Sequence, residues 1–373
     1  TFSKAWGLAG LRTGYVLGPA NWIERLRASG NPYPVAAVSA ELARLRLQSG
    51  EADMRDYVTQ VRSERAGLAQ LARDLGLCPA EPHEGNFVLL QGLDSEWMRS
   101  AMGSLGVATR SFPGRPELAG ALRISLPGEP QGFAQLTQSL RIALAPSAML
   151  FDMDGVLADV SGSYRAAILS TAQDFGVTLT SAEIDHAKQR GAANDDWVLT
   201  QTLLHQHGVE VALEEVIDRF QGHYLGGPGK SGLRERESLL VDRKLLADWS
   251  RSYRLGIVTG RPRAEALDFL ERFDLLELFD AVVCREDAEL KPSPAPVRLA
   301  LERLGCSRAW MLGDTRDDLV AARGAGVLPI GVLDPSAANS AAGSERERRI
   351  GLLLRAGAAR VLLRAADLQE LLP

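Results

Sequence analysis

Short apolar runs recur in the second part of this chain, at residues 148–151, 255–258, 281–283, 309–312 and 328–333, and helical patterns separate most of them. Buried strands alternating with helices predict parallel βαβ units and a doubly wound α/β sheet. One interval breaks the rhythm: about 100 residues separate Asp154 from Thr259, too many for one crossover. Its middle is helical, and Thr180-Ser181-Ala182-Glu183 has the spacing of a capping box. Residues 162–246 are therefore expected to form a helical cap inserted into the core. Within it, the Gly-rich stretch 222–232 reads as a hinge or loop, and beyond the cap residues 335–345, small and polar, read as a surface loop.

The first part has a different pattern. Residues 13–18 read as a strand stopped by Gly18-Pro19, and 34–49 and 51–75 carry long helical patterns rich in Ala, Leu and Arg. Residues 86–91, 105–111 and 121–126 read as short strands, and 131–143 as a closing amphipathic helix. Ala145-Pro146-Ser147 then reads as a linker. Two domains are expected, over 1–145 and 147–373, as a length of 373 residues allows.

Composition narrows the class. A hydrophobic content of 46% with 24% charged residues is that of a soluble globular protein. A net charge of −5 offers no basic footprint for nucleic acid. Cys78, Cys284 and Cys306 lie too far apart for a zinc cage or a disulfide framework and read as reduced thiols of a cytoplasmic protein. No apolar run reaches the ~18 residues of a membrane span, and no signal peptide is visible. The chain starts at Thr1 inside a motif, which reads as a truncation.

Four polar clusters follow the apolar runs of the second part. In an open parallel sheet, side chains just past the carboxyl ends of the strands converge on one crevice. The first cluster, Phe151-Asp152-Met153-Asp154-Gly155-Val156, carries two carboxylates at i and i+2. One can attack an electrophile while the other moves the proton. The second is Thr259-Gly260-Arg261 after the run ending at Val258; the third is Lys291-Pro292-Ser293-Pro294. The fourth is Gly313-Asp314-Thr315-Arg316-Asp317-Asp318. Together, in this order, they resemble the motifs of the haloacid-dehalogenase (HAD) superfamily over about 147–373. The resemblance implies a Rossmann-like core and a phosphatase. Asp152 would be the nucleophile that forms an aspartyl phosphate, and Asp154 the acid and base. Thr259 would bind a phosphoryl oxygen, and Lys291 would balance charge. It also implies Mg2+ held by Asp152, the backbone carbonyl of Asp154, Asp314 and Asp318. Magnesium prefers such hard oxygen ligands. Asp154 argues against dehalogenase chemistry, because the family's dehalogenases lack it.

The cap should carry specificity for a small phosphorylated metabolite. Asn194-Asp195-Asp196-Trp197 offers two readings. In one, Asp195 or Asp196 meets a substrate ammonium while Trp197 packs on a ring. In the other, the segment is a helix N-cap followed by a core tryptophan.

The opening segment, Thr1-Phe2-Ser3-Lys4-Ala5-Trp6-Gly7-Leu8-Ala9-Gly10-Leu11-Arg12-Thr13-Gly14-Tyr15, is similar to the signature of fold-type I aminotransferases, closest to histidinol-phosphate aminotransferases. Gly85-Asn86-Phe87 and Leu122-Arg123-Ile124-Ser125 add to the likeness. By resemblance Lys4 forms the imine with pyridoxal 5'-phosphate, Ser3 and Arg12 contact its phosphate, and Arg123 holds a substrate carboxylate. The part of that family preceding the lysine, with the Asp that pairs with the pyridine nitrogen, is not in this sequence, so transaminase activity is expected only from a longer parent. Such enzymes are usually dimers, so a homodimer, with the first part as a dimerisation module, is one expected arrangement. Adjacency of the two activities suggests successive steps of histidine synthesis, with histidinol phosphate as the phosphoester. Phosphoglycolate or a sugar phosphate is the alternative.

Overall fold

The structure is a computed structural model and describes residues 1–31, 34–189, 195–338 and 343–372. Two compact units emerge, one of residues 1–95 and 109–138, the other of 96–108 and 139–373.

The first unit contains helices α1 (Ala20–Ser29), α2 (Ala37–Ser49) and α3 (Glu51–Asp74) and strands β1 (Cys78–Pro79) and β2 (Phe87–Gln91). Along the chain helix α4 (Ser95–Ser104) follows, which falls in the second unit but for its first residue, then β3 (Arg110–Ser111) and β4 (Leu122–Ser125) of the first unit and α5 (Pro130–Leu144), which passes from the first unit into the second. The four strands form an antiparallel sheet in the order β1-β2-β4-β3, with Phe87 opposite Ser125. Val61, Leu68, Leu71 and Ala72 of α3 are buried, as are Val88 and Leu90 of β2 and Leu122 and Ile124 of β4. The helical and alternating spacings thus turn one apolar face of each element inward.

Two expected strands differ from the structure. Residues 13–18 have no strand, and Tyr15, Val16 and Leu17 are exposed, because no strand edge pairs with them. The strand expected over 105–111 shrinks to Arg110–Ser111. Helix α4 claims the rest: the amides of Leu105 and Val107 donate to the carbonyls of Ala101 and Met102, and Gly106 turns the chain at φ +84°.

The second unit is built on β5 (Ala148–Phe151). Strand β6 (Ala158–Asp159) leads into α6 (Tyr164–Asp174), α7 (Ser181–Gln189), α8 (Asp196–Gln206) and α9 (Leu213–Leu225). A short hairpin, β7 (Gly226–Gly227) and β8 (Lys230–Ser231), precedes the return strand β9 (Ser238–Leu239). The core resumes with α10 (Arg243–Ser250), β10 (Arg254–Val258), α11 (Arg263–Arg272), β11 (Ala281–Val283), α12 (Ala295–Leu304), β12 (Ala309–Gly313) and α13 (Arg316–Gly324). It ends with β13 (Leu328–Val332), α14 (Pro335–Ala338), α15 (Gly343–Ala356) and β14 (Arg360–Leu362). All six core strands are parallel, in the order β11-β10-β5-β12-β13-β14. The chain leaves β5 in opposite directions along the sheet, which makes the carboxyl end of β5 the topological switch point. Strand β14 is a short edge strand that the sequence pattern did not separate from its surroundings.

The helices between β6 and β9 form a body with its own core, including Ile168, Leu203, Leu204, Val216 and Phe220. Its neck is antiparallel, with Ala158 opposite Leu239 and Asp159 opposite Ser238. The expected range 162–246 runs past this neck into α10, whose Leu246 and Trp249 are buried and whose Trp249 stacks on Phe151 of β5. Thr180 and Glu183 make the reciprocal capping bonds at α7, at 2.7 and 3.3 Å. Residues 335–345 carry α14 and the start of α15 rather than loop alone. Among the described residues no helix is long and apolar enough to cross a membrane.

Residues 96–108, which carry all but the first residue of α4, are part of the second unit. Trp97 meets Trp310 of β12 edge-on at 5.5 Å, and the Arg360 guanidinium lies over the Trp97 ring at 5.7 Å. The Trp310 indole donates to the Ile142 carbonyl at 2.7 Å, which lets a polar N–H stay buried. The expected linker, 145–147, lies inside the second unit, where the Ser147 amide and hydroxyl both donate to the Arg308 carbonyl. Trp97→Ala should therefore destabilise the protein by about 3–5 kcal/mol, the usual range for a buried aromatic, read as a lower urea midpoint. Trp97→Phe should recover much of that loss. An unchanged midpoint for Trp97→Ala would show that the contact contributes nothing.

Candidate active site

The residues expected to do the chemistry and hold the metal in the second unit gather at the carboxyl edge of the sheet. Asp152 follows β5, and its amide donates to the Leu312 carbonyl of β12 at 2.9 Å. Thr259 follows β10, and its amide donates to the Val283 carbonyl of β11 at 2.9 Å. Asp314 follows β12. Asp318 sits in the first turn of α13, where Thr315 donates to its carboxylate from both amide and hydroxyl, at 3.0 and 2.5 Å. This capping box orients the carboxylate before any ligand is present.

Lys291 joins these elements. Its ammonium lies 2.7 Å from Asp152 Oδ1, 2.5 Å from Asp318 Oδ1 and 3.0 Å from the Val258 carbonyl. All three side chains are buried. Carboxylate oxygens of Asp152, Asp314 and Asp318 lie within 4.8 Å of one another. Gly155, at φ +75°, permits this approach: a Cβ there would stand 2.3 Å from Asp314 Oδ2.

The electrostatics follow from burial. Desolvation raises the Asp152 carboxyl to about 7 against the pull of Lys291, with Asp318 and Asp154 adding to the rise. Desolvation, then Asp318 and Asp152, push Asp314 well above the usual carboxylate range. Three carboxylates against one ammonium leave two negative charges, matching one divalent cation. The hard oxygen set and this excess charge fit Mg2+.

Asp154 pairs with Arg261. Its Oδ1 accepts from Arg261 Nε at 2.6 Å. A pocket opens beside Asp152, Asp154, Asp314 and Asp317, and the inserted segment lines it with Ser161, Arg165, Lys188 and Asp196. Lys188 was not singled out in the sequence, where a lysine near a helix end reads as solvated. Only the fold turns it inward, 3.0 Å from Asp196. Burial favours loss of its proton, but Asp196, Asp154 and Asp314 outweigh this and hold the ammonium above its ordinary value.

The other cap residues are placed differently from the substrate-binding expectation. Asp195 is the N-cap of α8, accepting from the amides of Trp197 and Val198 at 3.1 and 3.2 Å, and it pairs with Arg285. Trp197 packs against the core of the inserted helices, with the Arg285 guanidinium 4.4 Å from its ring. Neither lines the pocket. The correction has a plain cause: the amides of a helix's first turn need an acceptor, and Asp195 is the residue in position to supply it. Asn194 lies outside the described residues.

In the first unit, Lys4 and Arg12 are exposed. The Ser3 hydroxyl is 2.8 Å from that of Thr1, and Arg12 donates to the Ala9 carbonyl at 3.3 Å. The Arg123 guanidinium stacks on Phe87 at 4.5 Å. Among the described residues nothing encloses Lys4, so these side chains alone do not fit pyridoxal phosphate.

Two family models match different parts of the chain. The family described as aminotransferase class I and II matches residues 1–140, and that described as haloacid dehalogenase-like hydrolase matches 149–332. The chain is 41% identical over 236 residues to an imidazoleglycerol-phosphate dehydratase of Phytophthora nicotianae, covering 61% of this chain and 52% of that protein. It is 38% identical over 131 residues to the histidinol-phosphate aminotransferase of Xanthomonas euvesicatoria pv. vesicatoria (strain 85-10), covering 34% and 35%. A phosphoglycolate phosphatase of Cereibacter sphaeroides is 30% identical over 184 residues, 48% of this chain and 81% of that enzyme. The chain thus spans about half the length of the first of these relatives and about a third of the second. With the four clusters gathered at one sheet edge and the Cereibacter enzyme matched over most of its length, the chain belongs, through its second unit, to the haloacid dehalogenase-like hydrolases.

Proposed function

We propose that the second unit hydrolyses a small phosphomonoester through an aspartyl-phosphate intermediate. The observation that carries this reading is the buried contact of Lys291 with Asp152 beside the Asp314–Asp318 cluster. Lys291 keeps a carboxylate available in a setting that would otherwise protonate it, and it faces the place where phosphoryl charge would gather. Asp152 attacks phosphorus while Asp154 gives its proton to the leaving oxygen. Asp154 then takes a proton from water as that water opens the acyl phosphate. Thr259 donates to a phosphoryl oxygen. Asp152, Asp314, Asp318 and the carbonyl of Asp154 would hold Mg2+, which when bound neutralises charge on phosphate and carboxylates.

For the substrate we favour histidinol phosphate. Relatives of the first part include histidinol-phosphate aminotransferases, and a match over 236 residues is to a protein named for imidazoleglycerol phosphate. Asp196 gives the pocket wall an acceptor for an ammonium group. Phosphoglycolate is the second reading, favoured by the Cereibacter phosphatase and by Lys188, whose ammonium could meet a carboxylate.

A panel of phosphoesters in Mg2+ tests both. Wild-type protein should release phosphate, whereas Asp152→Asn, or removal of Mg2+ with a chelator, should lower the rate by at least ~10³, as loss of a nucleophile does. A panel with no turnover in Mg2+ would sink the phosphatase reading. Asp196→Asn separates the substrates. For histidinol phosphate KM should rise roughly tenfold, the value of one charge-assisted contact, with kcat little changed. A rise confined to phosphoglycolate would reverse the order of the two readings.

A further inference from the structure

We infer that Arg261 is a positioning residue that fixes the proposed acid/base, Asp154, and ties its orientation to the seating of the inserted helices on the core. The inference rests on the phosphatase reading and adds to it a residue outside the four clusters' assigned roles.

The Arg261 side chain is almost fully buried, with 1% of it exposed. It stands two residues past Thr259, whose hydroxyl accepts from the Arg261 amide at 3.1 Å. Its guanidinium divides its donors. Nε goes to Asp154 Oδ1 at 2.6 Å, and Nη2 goes to Glu237 Oε1 at 3.1 Å. Nη1 reaches Glu237 Oε2 at 3.3 Å and the Tyr224 hydroxyl at 3.4 Å. The Tyr164 ring lies 4.9 Å from the guanidinium carbon.

The partners show what this contact connects. Glu237 immediately precedes β9, the return leg of the neck. It also accepts from Ser163 Oγ at 2.9 Å on the outgoing leg, from Tyr224 at 3.1 Å at the end of α9, and from Arg272 of α11 at 2.8 Å. Tyr164 of α6 and Gln221 of α9 both donate to Glu265 of α11. The polar seam between the inserted helices and the core thus ends, through one guanidinium, on the carboxylate two residues after the nucleophile. A planar fork suits the task because its donor directions are fixed relative to one another. If Glu237 and Tyr224 keep their places, Nε must point at Asp154. If they shift, a buried guanidinium loses two partners and cannot hold Asp154 in the same way.

The test compares two esters in Mg2+, an alkyl phosphate, whose leaving oxygen needs a proton, and p-nitrophenyl phosphate, whose leaving group departs without one. The readout is kcat/KM, which covers steps through departure of the leaving group. Arg261→Met should lower kcat/KM for the alkyl ester by ~10²-fold or more, the range of general acid catalysis, and for the nitrophenyl ester by under ~10-fold. Arg261→Lys should fall between wild type and Arg261→Met on the alkyl ester. Glu237→Gln, which leaves Arg261 in place but loosens the seam, should show the same leaving-group split in weaker form. Should Arg261→Met fail to fold, judged by circular dichroism, the Arg261→Lys and Glu237→Gln comparison carries the test. Equal losses on both esters, or no loss on either, in a folded variant would overturn the inference. A wild-type protein inactive on both esters would overturn the phosphatase reading itself and the inference with it.

Discussion

The second unit depends on one buried ammonium. Lys291 comes from the loop between β11 and α12, and its partners come from β5, β10 and α13. A buried lysine without acceptors would lose its charge, and buried carboxylates beside one another without a cation would take up protons. Set together, each makes the other's charge tolerable. The pairing also draws the ends of neighbouring strands to a common point. Burying such groups costs more than burying hydrocarbon of equal volume. Selection for stability alone would have placed apolar side chains there, as it did at Ala148–Phe151 one step back along β5.

That step explains why this site was legible in the sequence. Each cluster begins where a run of buried residues ends, so the switch from apolar to acidic or hydroxyl residues marks a strand terminus and a chemical group at once. Asp152, Thr259 and Asp314 could be read this way because their positions follow from β5, β10 and β12. Lys188 and Glu237 could not. A lysine in α7 or a glutamate before β9 looks solvated until the inserted helices turn it inward. Asp195 stood between two readings for a local reason. The same Asp that could meet a ligand could also satisfy the open amides of a helix start, and the local partners are always present. Residues 13–18 misled for the opposite reason: a β-like pattern forms a strand only against a partner edge, and sequence spacing does not supply one.

The inserted helices raise a separate physical question. They hold a hydrophobic cluster of their own, built from α6, α7, α8 and α9. Among what joins them to the sheet are the two-stranded neck, a seam of polar groups around Glu237 and the pair of Asp195 with Arg285. Polar seams contribute less to stability than apolar ones but are far more exacting about geometry, because a misplaced apolar contact weakens gradually while a misplaced buried ion pair leaves a bare charge. A joint of that kind suits a body that must return to one position on the core.

The two carboxylates of the first cluster show the same logic at closer range. They are two residues apart yet are held by different cations. The proposed nucleophile, Asp152, meets a lysine, a compact charge with freely rotating donors, and in that role the demand would be to balance charge as a phosphoryl group arrives and leaves. The proposed acid/base, Asp154, meets an arginine whose remaining donors are anchored to Glu237, and in that role the demand would be direction, since a proton would pass along one line to one oxygen. Exchange of the two cations would satisfy neither demand. A lysine beside Asp154 could not span to Glu237 with fixed angles. An arginine beside Asp152 would present a plane of donors where the ammonium now contacts two carboxylates and a carbonyl. Charge counting alone would treat the two sites as equivalent; donor geometry separates them, and with them the two roles proposed for the acids.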